Sequence, residues 1–221
     1  MNLFYKFFIL VSVGVSSAQA QKFVITGDST VATYSGGSKQ GWGAYIGRYL
    51  VSGTKVVNLA RGGRSTKTYI SEGHWKDAVA QKGKYVFIQF GHNDQSKNHT
   101  NPDTTYKSNL RKMIANVKSY GGIPVIVSPT RRLRFEDSNR MSSELTPYAV
   151  SAREVAAEEK VPFVDLHEAS KKAWVKMGES KALKYFVSGD RTHTNSQGAN
   201  LLASIVAEEC KKDSILRKLV K

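Results

Sequence analysis

Five short apolar runs, rich in β-branched and aromatic side chains, recur along the chain at Lys22–Thr26, Lys55–Leu59, Tyr85–Phe90, Ile123–Ser128 and Pro162–Leu166. Most lack alternation of apolar and polar positions, the pattern of strands covered on both faces. Helix-like segments lie between them at Gly41–Val51, His74–Gln81, Asp103–Tyr120 and Thr146–Lys160. A last one, Ser196–Lys211, sets Leu201, Leu202, Ile205 and Val206 on one helical face. Strand and helix alternate throughout, which predicts a parallel sheet with helices on both sides. The expected fold class is α/β, a flavodoxin-like three-layer sandwich on a five-stranded parallel sheet, with strand order left open. No internal repeat, linker or low-complexity stretch interrupts it, so residues 21–221 read as one domain.

The first segment departs from this pattern. Lys6 gives a positive flank, Phe7 to Val15 an apolar run, and Ala18-Gln19-Ala20 a small-x-small pattern. Residues 1–20 read as a secretory signal cut after Ala20, because the run falls short of the roughly 20 apolar residues that span a bilayer. No other stretch is apolar enough to span, so an extracellular protein with no membrane partner is expected. At 221 residues, 40% hydrophobic and 23% charged, the chain is long enough for a sizeable core and too apolar for disorder. Its one cysteine, Cys210, rules out an internal disulfide, and its place in LLASIVAEEC predicts a buried thiol. Asn98-His99-Thr100 is a glycosylation sequon.

Charge narrows the partners further. The formal net charge is +15, and the signal segment accounts only for Lys6. Such an excess concentrates polyanions around a protein. For an exported chain these are acidic polysaccharides or anionic cell surfaces rather than nucleic acid; solubility alone is the plain alternative.

In open α/β sheets, ligands bind outside the carboxyl ends of the strands. Gly27-Asp28-Ser29-Thr30 follows the first run, Arg61-Gly62-Gly63-Arg64-Ser65 the second, Gly91-His92-Asn93-Asp94 the third and Pro129-Thr130-Arg131-Arg132 the fourth. All four clusters should face one rim. Near the C-terminus, GDRTHTNSQG from Gly189 to Gly198 sets Asp190 and His193 three residues apart in a stretch too polar for a core. Each cluster alone has an ordinary reading: Ser29 or Asn93 could cap a helix, and a glycine pair could be a turn. No G-x-S-x-G elbow, H-E-x-x-H, paired C-x-x-C, phosphate loop or dinucleotide fingerprint occurs, so neither metal nor cofactor is expected. His92, Asp94, Asp190 and His193 are ligand types, but without a diagnostic spacing. Arg131, Arg132 and Arg134 could grip carboxylates in a bidentate manner or pair with Glu136 and Asp137. The C-terminal KKDSILRKLVK reads as the end of a basic amphipathic helix.

Taken together, the Ser of GDST, the Gly of RGGRS, the Asn of GHND and the His of DRTHTN resemble, in that order, the SGNH (GDSL-type) hydrolase superfamily. GDST, the GRS of the second block and GHND are most similar to rhamnogalacturonan acetylesterases and related pectin-deacetylating enzymes. The resemblance implies a catalytic set of Ser29, Asp190 and His193, in which His193 takes the Ser29 proton and Asp190 holds the imidazole. It implies an oxyanion hole of the Ser29 N–H, the Gly63 N–H and the Asn93 amide; Gly63 is preferred to Gly62 because it directly precedes Arg64-Ser65. The implied activity is a secreted serine esterase that removes O-acetyl groups from a plant cell-wall polysaccharide, pectic rhamnogalacturonan first, through an acyl-enzyme on Ser29. The partner would be an acetylated acidic polysaccharide, with Arg131 and Arg132 available for its carboxylates, and the protein a monomer. Alternatives are a lipase or thioesterase of the superfamily, a xylan acetylesterase, and a non-catalytic binder of acidic glycans. His92 is expected to pack or orient its loop, whereas His74, His99 and His167 have no evident partner.

Overall fold

The computed structural model describes residues 21–96, 100–138 and 140–221. The signal segment 1–20 and Asn98 of the sequon lie outside the described residues. Strands β1 (Lys22–Gly27), β2 (Lys55–Asn58), β3 (Tyr85–Gln89), β4 (Ile123–Val127) and β5 (Phe163–Val164) form one parallel sheet in the order β2-β1-β3-β4-β5. Helices α1 (Thr66–Ser71), α2 (His74–Ala80), α3 (His92–Ser96), α4 (Lys107–Lys118), α5 (Thr146–Glu158), α6 (Leu166–Met177), α7 (Glu179–Ala182) and α8 (Ser196–Lys211) connect the strands and cover the sheet.

Successive strand residues point to opposite faces, and here both faces are dry. Phe23, Ile25, Phe87, Val125 and Val164 pack with Trp174 of α6 and Leu202 and Val206 of α8. Val24, Val86, Ile88 and Ile126 pack with Tyr69 of α1, Leu110 and Ile114 of α4 and Val155 of α5. This two-sided burial is why the strands read as unbroken apolar runs. The expected three-layer sandwich is the fold observed.

Three local expectations are corrected. Gly41–Val51 is not a helix but two single 3-10 turns, Trp42–Ala44 and Ile46–Arg48. A Cβ on Gly41 would come within 2.3 Å of the Val31 carbonyl carbon, and one on Gly43 within 2.5 Å of the Asn58 amide nitrogen. This backbone is pressed onto the loop after β1, and its N–H groups bond there, Trp42 N to Thr30 O and Gly43 N to Val31 O, instead of to a helix. Helix α6 was not expected, because Lys171, Lys172 and Lys176 mask a buried face of Leu166, Ser170 and Trp174 at four-residue spacing. The C-terminal segment is no amphipathic helix either. After one 3-10 turn, Arg217–Leu219, it runs alongside residues 49–51, Leu219 O accepting from Val51 N and Lys221 N donating to Tyr49 O. Leu216, Leu219 and Val220 are buried there.

Candidate active site

The strand order changes direction between β1 and β3, and the crevice at such a switch point is where open α/β sheets bind ligands. Ser29 stands just beyond the end of β1, and His92 and Asn93 open α3 just beyond the end of β3. The loop before α8 brings Asp190 and His193 over the same edge. The result is a cleft of about 580 Å³ whose walls include Ser29, Gly63, His92, Asn93, Arg132 and His193.

Within it, Ser29 Oγ lies 2.8 Å from His193 Nε2, and His193 Nδ1 lies 2.6 Å from Asp190 Oδ2. The other carboxylate oxygen, Oδ1, accepts from the backbone N–H groups of Thr192 (2.6 Å) and His193 (3.0 Å). Burial alone would raise the Asp190 pKa, but the backbone N–H and the ring of His193, with the Thr192 N–H, hold it below its ordinary value. An ionised carboxylate only accepts, so Nδ1 carries the hydrogen and Nε2 offers its lone pair to the Ser29 hydroxyl.

The oxyanion candidates Gly63 and Asn93 line the same cleft as Ser29. Gly63 has φ of +78°, the left-handed region that glycine enters without strain. Among the described residues, neither the Ser29 N–H nor the Gly63 N–H donates to a protein acceptor. Asn93 Nδ2 donates one hydrogen to Arg64 O at 3.2 Å, which orients the amide and leaves its second hydrogen free. Asp94 ties the second and third blocks together. Its carboxylate accepts from Thr66 N, from Thr66 Oγ1 at 2.6 Å and from Thr100 Oγ1 at 2.9 Å. Burial raises its pKa to about 6 despite these bonds, and the charge of Asp28 adds to the rise.

Beneath Ser29 lies a buried polar chain that the sequence did not reveal. The Trp42 indole N–H donates to Gln89 Oε1 (2.7 Å), Gln89 Nε2 donates to Thr30 Oγ1 (2.7 Å), and Thr30 Oγ1 donates to Asp28 Oδ1 (2.8 Å). Asp28 Oδ2 faces His92 Nδ1 at 3.5 Å, an ion-pair distance. Burial works against the Asp28 charge, but the neighbouring imidazole and the Thr30 bonds outweigh it and lower its pKa. His92 therefore packs against the acid that precedes the nucleophile while forming part of the cleft wall.

The segment after β1 also reaches the base. Gln40 clamps Tyr34 through both its amide atoms, accepting from Tyr34 N (3.1 Å) and donating to Tyr34 O (2.6 Å). Its own N–H donates to Thr194 O (2.9 Å), and Thr194 Oγ1 donates to Gln40 O (2.8 Å). His193 is thus stitched to the chain that carries Ser29. Tyr34 and Lys39 line the cleft as a result, which nothing in a Gly- and Ser-rich loop signals in advance.

Arg131 and Arg132 separate. Arg132 lies in the cleft wall, where its guanidinium donates to Gln95 Oε1 (3.1 Å) and faces Glu144 Oε1 (3.0 Å). Arg131 is buried outside the cleft, held by the Ser142 carbonyl and by Ser170 Oγ, which accepts from its backbone N–H at 3.0 Å. Arg134 is exposed and faces Glu144 at 2.9 Å. His167 is buried with Nδ1 2.9 Å from Pro129 O. Burial, then the nearby Arg131 charge, press its pKa down to about 4. His74 lies by Glu72 at 3.1 Å, and neither histidine is in the cleft. Among the described residues, no group of three or more His, Cys, Asp or Glu is placed to hold a metal ion, and no helix is long and apolar enough to cross a membrane.

A hydroxyl, an imidazole and a carboxylate in hydrogen-bonded series, at the rim of a flavodoxin-like sheet, form an arrangement that suits ester hydrolysis. Residues 25–201 match the GDSL-like lipase/acylhydrolase family, and the chain belongs to that family. It is 36% identical over 204 residues to a probable rhamnogalacturonan acetylesterase of Bacillus subtilis, YesY, spanning 87% of this chain and 94% of the relative. It is 32% identical over 202 residues to the rhamnogalacturonan acetylesterase RhgT of the same organism, spanning 83% of this chain and 87% of the relative. A crystal structure of the B. subtilis protein YxiM superposes with a TM-score of 0.79 at 26% identity, over 87% of this chain and 56% of that one.

Proposed function

We propose that the chain is an exported serine esterase that removes O-acetyl groups from an acetylated acidic plant cell-wall polysaccharide, rhamnogalacturonan first. The observation that carries this reading is the unbroken series from Asp190 through His193 to Ser29, at 2.6 and 2.8 Å. As Ser29 Oγ attacks the ester carbonyl, its proton passes to His193 Nε2, and Asp190 stabilises the imidazolium. The developing oxyanion is received by the Ser29 and Gly63 N–H groups and the spare Asn93 hydrogen. Collapse breaks the bond to the sugar oxygen, which leaves with the Nε2 proton, and Ser29 keeps the acetyl group. Water then gives a proton to the same nitrogen and attacks the acetyl carbonyl; collapse releases acetate and returns the proton to Ser29.

The acetyl group is supported by relatives named as rhamnogalacturonan acetylesterases, aligned over most of their length. An acidic substrate is supported by the cations Lys39, Arg64 and Arg132 along the cleft. Export is supported by the composition of residues 1–20, which would leave a monomeric domain of residues 21–221 after a cut at Ala20. The test is Ser29→Ala. Acetate release from acetylated rhamnogalacturonan should vanish while the thermal unfolding midpoint stays in place, and undiminished turnover would refute the reading.

A further inference from the structure

The positive charge is unevenly distributed. Residues 169–189 carry Lys171, Lys172, Lys176, Lys181 and Lys184 against one acid, Glu179. Glu179 is held by Arg191, and Lys171 faces Glu168 at 3.6 Å. Among the described residues, no carboxylate oxygen lies within 4.0 Å of the ammonium of Lys172, Lys176, Lys181 or Lys184, and all four residues are exposed.

These four are ordered in space. Lys172 and Lys176, one turn apart on α6, line a shallow depression together with Val175, Lys171 and the Glu168 that Lys171 faces. Lys176 and Lys181 flank the next, whose floor is Ala173, Met177 and Leu201. Three residues on, the Lys184 carbonyl accepts from Asn195 Nδ2 at 2.8 Å. Asn195, two residues past His193, is bridged in antiparallel fashion to Lys39. The Lys39 ammonium sits 4.3 Å from the centroid of the Tyr34 ring in the cleft wall. Shared depressions thus join Lys172, Lys176 and Lys181, and backbone contacts tie Lys184 through Asn195 to Lys39 at the cleft, a connected row of lysine positions.

We infer that this row is a binding track for the uronate backbone of an acidic polysaccharide, holding the sugars that flank the acetylated one. The identity of the polymer rests on the proposed function. Neighbouring like charges without counter-ions repel, and a chain with carboxylates at regular intervals relieves that repulsion along its whole length. The depression between Lys176 and Lys181 has an apolar floor of Ala173, Met177 and Leu201, which suits the C–H face of a sugar ring. A membrane surface fits less well, because an interfacial helix buries large apolar side chains that the exposed face of α6 does not carry. Single-stranded nucleic acid would call for exposed aromatic rings between the cations, and none stands among the four lysines.

The test uses unacetylated polygalacturonate, so that binding is read apart from catalysis. Its affinity is measured by calorimetry for the unaltered protein and for Lys176→Gln/Lys181→Gln/Lys184→Gln, at low salt and at about 0.15 M. The variant should bind about tenfold more weakly at low salt and lose less affinity on adding salt, with an unchanged unfolding midpoint. Equal affinity of the two proteins overturns the track. So does equally tight binding of the unaltered protein to phosphatidylglycerol vesicles or single-stranded DNA. Acetate release from acetylated rhamnogalacturonan is assayed separately: its absence with a lysine-dependent affinity sinks the proposed function and leaves the track standing, and the converse result does the reverse.

Discussion

Replacing Asp190 by Asn changes one oxygen for an NH2 and tests the proton inventory of the site. Asp190 Oδ1 takes two backbone N–H groups and Oδ2 takes the ring hydrogen of His193, so the carboxylate accepts three hydrogens and donates none. An amide cannot do this. If its oxygen stays on the two backbone donors, its NH2 faces Nδ1, which must then be the lone-pair nitrogen. The hydrogen moves to Nε2, directly opposite Ser29 Oγ at 2.8 Å, and the base can no longer take the serine proton. The flipped amide restores the ring tautomer but sets NH2 against two N–H donors, losing two hydrogen bonds at about 1 kcal/mol each and adding donor–donor repulsion. The first arrangement wins. The expected loss in kcat is on the order of 10⁴, or about 5.5 kcal/mol of barrier, as in other serine hydrolases with a misplaced tautomer. The assay is 4-nitrophenyl acetate turnover beside a thermal melt. A folded variant within tenfold of the unaltered enzyme would refute the assignment of Nε2 as the base.

The remaining predictions concern charge stabilisation and pH. Asn93→Ala should lower kcat by about 10²–10³ with little change in KM, because the free amide hydrogen is used only once the oxyanion forms; steady-state kinetics on an aryl acetate would check it. Asp94 titrates near 6 when folded against an ordinary 3.8, so between these values the folded state holds a proton that the unfolded chain has released, and stability falls as pH rises through that window by about 3 kcal/mol. His167 titrates near 4 against 6.5, so the unfolded chain binds its proton first and stability falls, by a similar amount, as pH drops through the window. In urea melts from pH 4 to 7, Asp94→Asn should remove the first slope and His167→Gln the second. Profiles parallel to the unaltered protein would disprove both.

The central strands β1, β3 and β4 were legible because they are buried on both faces and so carry nearly unbroken apolar runs. The Ser, Gly and Asn blocks were legible because each follows a strand, which the fold turns into a shared rim, whereas the His block comes from the loop before α8. What escaped notice lies where tertiary contacts override local pattern. Gly41–Val51 has helical composition, yet Gly41 and Gly43 are pressed against the loop after β1, where a Cβ would not fit. Arg131 and Arg132 are neighbours in sequence, and only packing decides that one is tied to Ser142 and Ser170 while the other meets the cleft. Gln89 and Trp42 looked like ordinary strand and core residues; their bond beneath Thr30 joins positions 47 residues apart. Lys39 enters the site through the Gln40 clamp, and no periodicity marks a clamp.

Ser29 and His193 are 164 residues apart in the chain, and the Gln40–Thr194 stitch that joins their loops spans almost as much. No fragment ending before the last loop can assemble the relay, however well its sheet has formed. On the ribosome the nascent chain therefore lacks the relay until its last loop has been made. The relay needs this loop in place, so turnover recovered after denaturation would report that long-range contact and not formation of the sheet alone.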